Sequence, residues 1–283
     1  MSKALNRNGM AALGLRRSVL FVPGSGVKML EKARKLACDV VVLDLEDSVA
    51  PQAKQTARDQ VGAAVGTFGA REVVVRINPV GSQWGRADLA AMHKAGPQAI
   101  LLPKVESPAD VAAAAGPVAL WAMIETPRAV LHVEEIAASG VGCLVMGTND
   151  LLKAICALSL ADRRNLWAAF GQTVMAARAY GIAVLDGVYN EIGDDEGFAE
   201  SCKQARAFGF DGKSLIHPRQ IEVCNRVFAP TPQEIAKARR IVQAFAENPS
   251  KGAIALEGEM VERLHAEQAR RLLALAEAIE GRA

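Results

Sequence analysis

Short apolar runs, rich in β-branched residues, recur eight times along the chain with helical stretches between them. The runs are Val19 to Val22, Val40 to Leu43, Val73 to Ile77, Ala99 to Leu102, Ala119 to Ile124, Cys143 to Met146, Ala183 to Leu185 and Gly212 to Ile216. Strands that alternate with helices and are apolar on both faces indicate a parallel sheet covered by helices. Eight such units in 283 residues predict a (β/α)8 TIM barrel, which needs roughly 250 residues.

The predicted parts are a flexible N-terminus at 1–15, a barrel domain at 16–229 and a C-terminal extension at 230–283. Within the barrel, a helix is expected from about Ser159 to Tyr180. The extension begins with an amphipathic helical segment, Thr231 to Asn248, followed by a glycine-containing loop, Lys251 to Gly258. A second amphipathic helix spans about Glu262 to Ile279. Because a closed barrel does not need this extension, we expect it to cover an active site, in its own or in a neighbouring subunit.

Composition excludes several classes of protein. Charged residues make up 23% of the chain and the formal charge is only +2, with Lys and Arg scattered among acids, so no nucleic-acid partner is expected. No apolar run approaches the ~20 residues that a bilayer requires, so no membrane is expected. The five cysteines form no Cys-x-x-Cys pair, and the first sixteen residues lack a secretory apolar region. We therefore expect a cytoplasmic protein with reduced thiols.

Charged residues cluster at the C-terminal ends of the predicted strands. They are Asp44, Glu46, Asp47, Arg76, Lys104, Glu125 and Asp150. In a barrel of this kind the active site lies at the C-terminal ends of the strands, where residues from different strands converge. A packed core gives no reason for so many charges at this boundary, so these residues are predicted to form a site.

Glu125 and Asp150 each follow a predicted strand and are the candidate metal ligands. Two carboxylates from neighbouring strand ends can bind one hard cation, with water completing an octahedron, which favours Mg²⁺. Mn²⁺ accepts the same oxygen ligands, and the sequence does not distinguish the two ions. The four histidines show no zinc-like spacing to these acids. The alternative is that both carboxylates only cap the helices that follow.

Arg76 is the one arginine at the end of a predicted buried strand, and its planar guanidinium suits a carboxylate or a developing enolate oxygen. A purely structural ion pair with Glu46 or Asp47 is the alternative. Those two acids are expected to hold water or orient ligands behind the metal, or else to start the helix that follows. The turn Gly147, Thr148 and Asn149 could present backbone N–H groups to a small anion, or could be an ordinary strand-to-helix turn.

Several collinear motifs resemble those of a known family. They are RRSVLFVPGSG, VVVLDLEDSVAP, VVVRINPVGSQWG, LLPKVES, MIETPRAV, GTNDL, LDGVYNEIGD and ARAFGFDGKSLIHPRQIEVCNRVFAPTPQEIAKARR. From about Arg16 to Arg271 the chain resembles the citrate lyase beta-subunit-like proteins of the HpcH/HpaI aldolase group, within the phosphoenolpyruvate-binding barrel superfamily. The resemblance implies a Mg²⁺-dependent barrel that cleaves or forms malyl-CoA, citramalyl-CoA, β-methylmalyl-CoA or citryl thioesters, as a homotrimer or hexamer.

The resemblance also assigns roles to residues of this chain. Glu125 and Asp150 would bind the metal, Glu46 and Asp47 would hold metal-bound waters, and Arg76 would contact the 2-oxo acid. The amides of Gly147 to Asn149 would bind the oxo-acid carboxylate, Lys104 would bind substrate, and Arg17 and the Lys213 region would lie toward CoA. The C-terminal extension would reach the active site of a neighbouring subunit.

One position departs from the family pattern. The family tail reads roughly Gly-x-Met-[Ile/Val]-Asp-x-Pro-His, and its Asp is the acid or base at the acyl-CoA α-carbon. Here Glu262 replaces that Asp and Leu264 replaces the Pro. Glu262 could still transfer a proton, but its extra methylene moves the carboxylate by about one C–C bond length, and misplacement on that scale can cost on the order of 100-fold in rate. The alternative is that Glu262 is a first-turn acid of the last helix.

The leading hypothesis is a Mg²⁺-dependent lyase that cleaves a 3-hydroxyacyl-CoA ester, citramalyl-CoA or malyl-CoA, into an acyl-CoA and a 2-oxo acid, pyruvate or glyoxylate. Three competing functions remain open. One is a citrate lyase beta subunit that acts on a citryl group of a carrier protein within a multi-subunit complex. The second is a CoA-free 2-oxo acid aldolase, and the third is a non-catalytic binding protein.

Overall fold

A computed structural model describes residues 14–282 of the chain. The expected flexible N-terminus, 1–15, lies almost entirely outside the described residues. Within the described residues the chain forms two compact units, Arg16–Phe228 and a second unit of residues 229–282 together with residues 14 and 15.

The first unit contains a closed barrel of eight parallel strands in sequence order, with β8 paired to β1. The strands are β1 (Ser18–Pro23), β2 (Val40–Asp44), β3 (Glu72–Arg76), β4 (Ala99–Leu102), β5 (Ala119–Ile124), β6 (Cys143–Met146), β7 (Ala183–Asp186) and β8 (Gly212–Leu215). The eight strands and the TIM-barrel class are thus confirmed. β2 and β3 pair with Asp44 beside Arg76, so the two side chains that end these strands are neighbours.

Ten helices connect or follow the strands of the barrel. They are α1 (Val27–Ala33), α2 (Lys54–Ala64), α3 (Gly85–Ala95), α4 (Pro108–Ala112), α5 (Pro127–Leu131), α6 (Val133–Ala138), α7 (Thr148–Ala154), α8 (Trp167–Tyr180), α9 (Asp195–Phe208) and α10 (Gln220–Phe228). Their apolar faces cover the outside of the strands, and one continuous core joins both layers. Burial of this core is the main stabilising contribution to the barrel.

The helix expected from Ser159 begins later, at Trp167, after a short 3-10 turn at Arg164–Leu166. Arg163 has a φ of +50°, a left-handed conformation that ends any helix running through it. Its guanidinium donates to Asp186 at 2.7 and 2.9 Å and to the side chain of Gln204 at 2.9 Å. These contacts from other elements hold Arg163 in a conformation that the local apolar pattern did not indicate.

The second unit begins with α11 (Pro232–Glu247), whose first turn carries a capping box formed by Thr231 and Glu234. The predicted loop at Lys251 to Gly258 is wrong in part, because β9 (Ala253–Leu256) and β10 (Glu259–Glu262) form an antiparallel hairpin. Its turn residues, Glu257 and Gly258, have φ values of +53° and +84°, which suit a two-residue hairpin turn.

The last helix, α12 (Arg263–Glu280), packs with α11 and the hairpin around a small core of its own. The members of this core include Ile241, Phe245, Val261 and Ala266. In the described part of the chain, no helix has the length and apolar character that crossing a membrane would take.

Candidate active site

The C-terminal ends of the barrel strands surround a cavity of about 380 Å³. Its wall includes five of the charged residues predicted from the sequence. They are Asp44, Asp47, Arg76, Glu125 and Asp150. Met123, Met146 and Val188 supply apolar wall between these charges. The structure therefore brings most of the predicted site residues to one cavity.

Arg76 is held by a bidentate ion pair with Asp44, a partner that the sequence analysis did not name. Nε and Nη2 of Arg76 donate to the two carboxylate oxygens of Asp44, both at 2.7 Å. Asp44 is buried and also accepts from the backbone N–H of Glu46 and from the hydroxyl of Ser48. Although burial favours the neutral acid, Arg76 and these donors lower the pKa of Asp44. The sequence signal is that both residues end neighbouring strands, but the contact itself needed side-chain positions.

Glu46 and Asp47 lie on the remaining nitrogen of Arg76. Oε2 of Glu46 is 2.9 Å from Nη1, and Oδ2 of Asp47 is 3.6 Å from it. Glu46 is buried, and this burial raises its pKa to about 8 despite the attraction of Arg76, with the nearby carboxylates of Asp47 and Glu125 adding to the rise. Asp47 is mostly exposed. The ion pair of Arg76 with Glu46 and Asp47, which was the alternative from the sequence, is thus present, and contact of Arg76 with a substrate oxygen stays a prediction.

Glu125 follows β5 and is almost completely buried. Its Oε1 accepts from the backbone N–H of Lys104 at 2.7 Å, whereas Oε2 has no hydrogen-bond partner within residues 14–282. Burial raises the pKa of Glu125. A side chain at Gly147 would bring a Cβ to 2.5 Å from Oε2, so only glycine leaves room for the carboxylate there. An unpartnered buried carboxylate oxygen costs free energy unless a cation or a donor completes it.

Lys104 joins the two candidate metal ligands. Its Nζ lies 2.9 Å from Oδ1 of Asp150 and 3.5 Å from Oε1 of Glu125. Although burial favours the neutral amine, the hydrogen bond to Asp150 and the charge of Glu125 raise the pKa of Lys104. Lys104 also has a φ of +53°, which lets its backbone N–H and its side chain face the same carboxylate. From the sequence, Lys104 was expected to bind substrate, and its contacts with both candidate metal ligands were not predicted.

The donor set fits a divalent metal that prefers oxygen. No group of three or more His, Cys, Asp or Glu side chains is arranged to hold a metal within the described residues. Glu125 and Asp150 nevertheless share one cation, the Lys104 ammonium, and Glu125 keeps one oxygen without a donor. A two-carboxylate site completed by water and substrate is typical of Mg²⁺.

The turn after β6 lies at the edge of the cavity, where Gly147 precedes the seven-residue helix α7. Thr148 is buried against Gly187, and Asn149 exchanges side-chain hydrogen bonds with Asn190 at 2.9 and 3.2 Å. Binding of a carboxylate by the amides of this turn stays a prediction. The reciprocal Asn149–Asn190 pair shows that the Asn149 side chain also links two loops of the site.

Two basic residues expected near CoA are held by carboxylates and do not line the cavity. Arg17 precedes β1 and pairs with Asp39, which precedes β2, at 2.9 and 3.0 Å, so it lies at the end of the barrel opposite the cavity. Lys213 is completely buried against Asp186, at 2.5 Å, in the same cluster as Arg163. Both side chains are therefore structural ion-pair members, and a substrate in the cavity would not contact them.

Glu262 ends β10 and caps α12 in the second unit. Its side chain accepts from the backbone N–H of His265, while its own backbone N–H donates to Nδ1 of His265 at 2.8 Å. The role at the start of the last helix, which the sequence analysis weighed, is therefore present in the structure. Proton transfer by Glu262 stays a prediction, and it is compatible with this cap because the carboxylate is exposed.

One supporting residue was missed by the sequence analysis. Lys54 in α2 is buried, and its Nζ donates to the backbone carbonyls of Leu45 and Glu46 at 2.8 and 2.7 Å and to Oδ1 of Asn78 at 2.7 Å. This ammonium fixes the loop that carries Glu46. A lysine in the first turn of an amphipathic helix gives no sequence signal of burial, which is why it was missed.

Comparison with known proteins gives consistent results. Residues 17–218 match the family described as HpcH/HpaI aldolase/citrate lyase. A (3S)-malyl-CoA thioesterase of Cereibacter sphaeroides is 46% identical over 271 residues, which cover 93% of this chain and 95% of that protein. The family match spans the whole barrel from β1 to the end of β8.

Two solved structures from Mycobacterium tuberculosis are similar to this chain. The protein CitE in complex with magnesium, acetoacetate and coenzyme A has a TM-score of 0.81 and 34% identity, covering 92% of this chain and 97% of its own. A citrate lyase beta subunit complexed with oxaloacetate and magnesium has a TM-score of 0.71 and 34% identity, covering 78% of this chain and 100% of its own.

Proposed function

The chain belongs to the HpcH/HpaI aldolase/citrate lyase family, and from this membership we propose that it is a Mg²⁺-dependent carbon–carbon lyase. Its substrate would be a 3-hydroxyacyl-CoA ester of the malyl or citramalyl type, cleaved to an acyl-CoA and a 2-oxo acid. One observation carries this proposal. Glu125, Asp150 and Arg76 line a single cavity, and the two carboxylates share the ammonium of Lys104.

Glu125 and Asp150 would hold the metal ion, and Glu46 and Asp47 would hold its waters. Mg²⁺ would supply Lewis-acid polarisation of the hydroxyl and carboxylate oxygens of the substrate. Support comes from the magnesium in the two similar structures and from the unpartnered Oε2 of Glu125. Mn²⁺ would suit the same oxygen ligands.

Arg76 would stabilise the substrate oxygen that becomes the ketone. Asp44 occupies Nε and Nη2, so Nη1 is the nitrogen that faces the acids of the cavity. A guanidinium fixed in this way is already oriented when charge develops on the oxygen, which lowers the barrier without further reorganisation. The amides of Gly147 to Asn149 would bind the carboxylate of the oxo acid.

Protonation of the acyl-CoA enolate after cleavage would need an acid. We assign this role to Glu262, supplied by the C-terminal extension of a neighbouring subunit in a homotrimer or hexamer. Mixing inactive Glu125→Gln and Glu262→Gln subunits tests the assignment, because sites that combine wild-type residues from two chains would regain activity. No regained activity after subunit exchange would contradict a shared site.

A second candidate activity is hydrolysis of the thioester of malyl-CoA. It is favoured by the 46% identity to proteins described as (3S)-malyl-CoA thioesterase, a higher value than that of the two solved structures. Both reactions use the same bound ester but break different bonds. Lyase cleavage of malyl-CoA gives glyoxylate and acetyl-CoA, whereas hydrolysis gives malate and free CoA.

The test is a product assay of the purified chain with malyl-CoA, citramalyl-CoA and β-methylmalyl-CoA, each with and without Mg²⁺. Glyoxylate or pyruvate would be trapped as a hydrazone, and free CoA would be measured with a thiol reagent. Metal-dependent oxo acid without thiol supports the lyase, whereas thiol without oxo acid supports the thioesterase. Glu125→Gln serves as the matched inactive variant.

The same assay separates the lyase from three further functions. Turnover only of a citryl group on a carrier protein would indicate a citrate lyase beta subunit. Turnover of a free 2-oxo-3-deoxy acid would indicate a CoA-free aldolase, and no turnover of any substrate would indicate a binding protein. We further propose a reducing, cytoplasmic setting, since the cysteines Cys38, Cys143, Cys156, Cys202 and Cys224 are free thiols.

A further inference from the structure

Lys104 touches both candidate metal ligands through two different groups. Its backbone N–H donates to Oε1 of Glu125, and its ammonium lies 3.5 Å from the same oxygen and 2.9 Å from Oδ1 of Asp150. The residue thus wraps around one carboxylate and bridges to the next. The left-handed backbone that makes this possible is uncommon for a side chain larger than glycine.

The ammonium and a divalent metal would use the same two carboxylates. A metal held by the same two carboxylates would bring a second positive charge close to the ammonium, and like charges repel each other. Oδ1 of Asp150 is already committed to the ammonium. The metal and the ammonium would therefore compete for the two acids.

We propose that Lys104 is a built-in competitor of Mg²⁺, a positioning residue that holds Glu125 and Asp150 together and turns away when the metal binds. This inference rests on the metal site of the proposed function. The affinity for Mg²⁺ then depends on the free energy of displacing Lys104 as well as on the two ligands. The ammonium keeps the two acids from repelling each other, and its release accompanies loading.

A place for the displaced ammonium exists next to the site. Lys104 also lines a second cavity of about 300 Å³, whose wall includes Val80, Arg86 and Asp110 but not Asp150. The Lys104 side chain is about one third exposed, so its rotation into this second cavity meets little packing. Asp110 supplies a carboxylate on the wall there, whose Oδ2 also accepts from Ser107 and from the backbone N–H of Glu106 in the cap of α4.

The test is direct titration of Mg²⁺ into the full-length, metal-stripped protein by calorimetry, for wild type, Lys104→Met and Lys153→Met. Methionine keeps the backbone donor and much of the side-chain volume of Lys104 while removing its charge. Lys153, exposed on α7, gives the matched control with the same change of net charge. We expect Lys104→Met to bind Mg²⁺ about tenfold more tightly or better, and Lys153→Met to stay near wild type.

A second readout is thermal unfolding with a chelator and with Mg²⁺. Lys104→Met should lose stability with the chelator, because its two acids repel each other, and should gain more from Mg²⁺ than wild type does. Lys104→Gln provides a second neutral variant if the methionine folds poorly.

An unchanged or weaker Mg²⁺ affinity in both neutral variants would overturn the inference. A lysine that only contacts substrate would show this pattern together with a higher KM for the CoA ester. If wild type and all variants fail to bind Mg²⁺, the metal site of the proposed function is wrong as well. If wild type binds Mg²⁺ and the neutral variants bind it no more tightly, only the proposed competition by Lys104 is wrong. The two failures are therefore distinguishable.

Discussion

At the N-terminal ends of the barrel strands, half-buried arginines hold carboxylates in bidentate ion pairs, whereas around the cavity at the C-terminal ends each cation lies among several carboxylates. At the N-terminal ends each arginine holds one carboxylate by two contacts. The pairs are Arg16–Glu72, Arg17–Asp39 and Arg178–Asp211. Around the cavity, Arg76 contacts three carboxylates and Lys104 contacts two.

The difference separates charges that hold the fold from charges that are available to a ligand. In a bidentate pair both carboxylate oxygens already accept from the arginine, so the acid has little capacity left to bind a ligand. Around the cavity, burial raises the pKa of Glu46 and of Glu125, neighbouring carboxylates add to the rise, and one oxygen of Glu125 has no hydrogen-bond partner among the described residues. Such an arrangement costs stability and is completed by a cation, as expected for a functional site.

The largest expected effect is a loss of activity after substitution of a carboxylate of the cavity, at the C-terminal ends of the strands. Glu125→Gln should lower kcat/KM by about 1000-fold or more, because it removes a metal ligand whose contribution is several kcal/mol. Its melting temperature should stay the same or rise, since the amide removes a buried carboxylate with a raised pKa. Steady-state kinetics and thermal unfolding check both halves, and near-normal turnover would contradict the assignment of the site.

The next largest effect is expected on stability, after substitution of a paired arginine at the N-terminal ends of the strands. Arg17→Met should lower the free energy of unfolding by about 3 kcal/mol, because Asp39 loses a bidentate partner while buried. Activity should stay within about twofold, since Arg17 lies away from the cavity. The double variant Arg17→Met/Asp39→Asn should recover much of the lost stability in urea unfolding. If a stable Arg17→Met protein lost most of its activity, Arg17 would again be a candidate substrate contact.

A smaller effect concerns the dependence of stability on pH. Because the folded protein raises the pKa of Glu46 from 4.5 to about 8, the unfolded chain loses this proton first as the pH rises. Wild-type stability should therefore fall between about pH 4.5 and pH 8. Glu46→Gln should remove this component and be more stable than wild type at pH 9 by no more than a few kcal/mol, with little difference at pH 4. Urea unfolding in the presence of a chelator measures the free energy of unfolding of both proteins at each pH. If the two free energies changed with pH in parallel, the prediction would be refuted.

The smallest effect is expected for Asp47→Asn. Asp47 is mostly exposed and lies 3.6 Å from Nη1 of Arg76, so the pair should contribute less than about 1 kcal/mol. We expect less than about fivefold change in kcat/KM and no measurable change in stability. A much larger loss of activity, with stability unchanged, would show that the water held by Asp47 matters more to turnover than the weak contact with Arg76 indicates, and it would sharpen the contrast between the two ends of the barrel.

The sequence predicted the elements that depend on local pattern and missed those that depend on distant partners. The bounds of the strands agree within a residue or two, because buried parallel strands are short apolar runs. The late start of α8 at Trp167 and the hairpin at Ala253–Leu256 were missed. Both follow from left-handed residues, Arg163 and Glu257, whose conformation no local propensity indicated.

The candidate site was predicted as a set of residues but not as a set of contacts. Placing Glu125, Asp150 and Arg76 at strand ends needed only the barrel and its polarity. The bidentate Asp44–Arg76 pair, the burial of Lys54 under the loop of Glu46 and the location of Arg17 needed side-chain positions. Charge type is visible in a sequence, whereas the partner of each charge is not.

By itself, the amino-acid sequence determined the barrel, the end of the barrel that carries the site and the carboxylates suited to a hard cation. These follow from periodicity and from residue type, which are local properties of the chain. Only the tertiary structure decided which charges neutralise each other, that Lys104 lies between Glu125 and Asp150, and that one oxygen of Glu125 stays without a donor. Electrostatic energies depend on distance and burial between residues far apart in sequence, and only the folded chain sets these quantities.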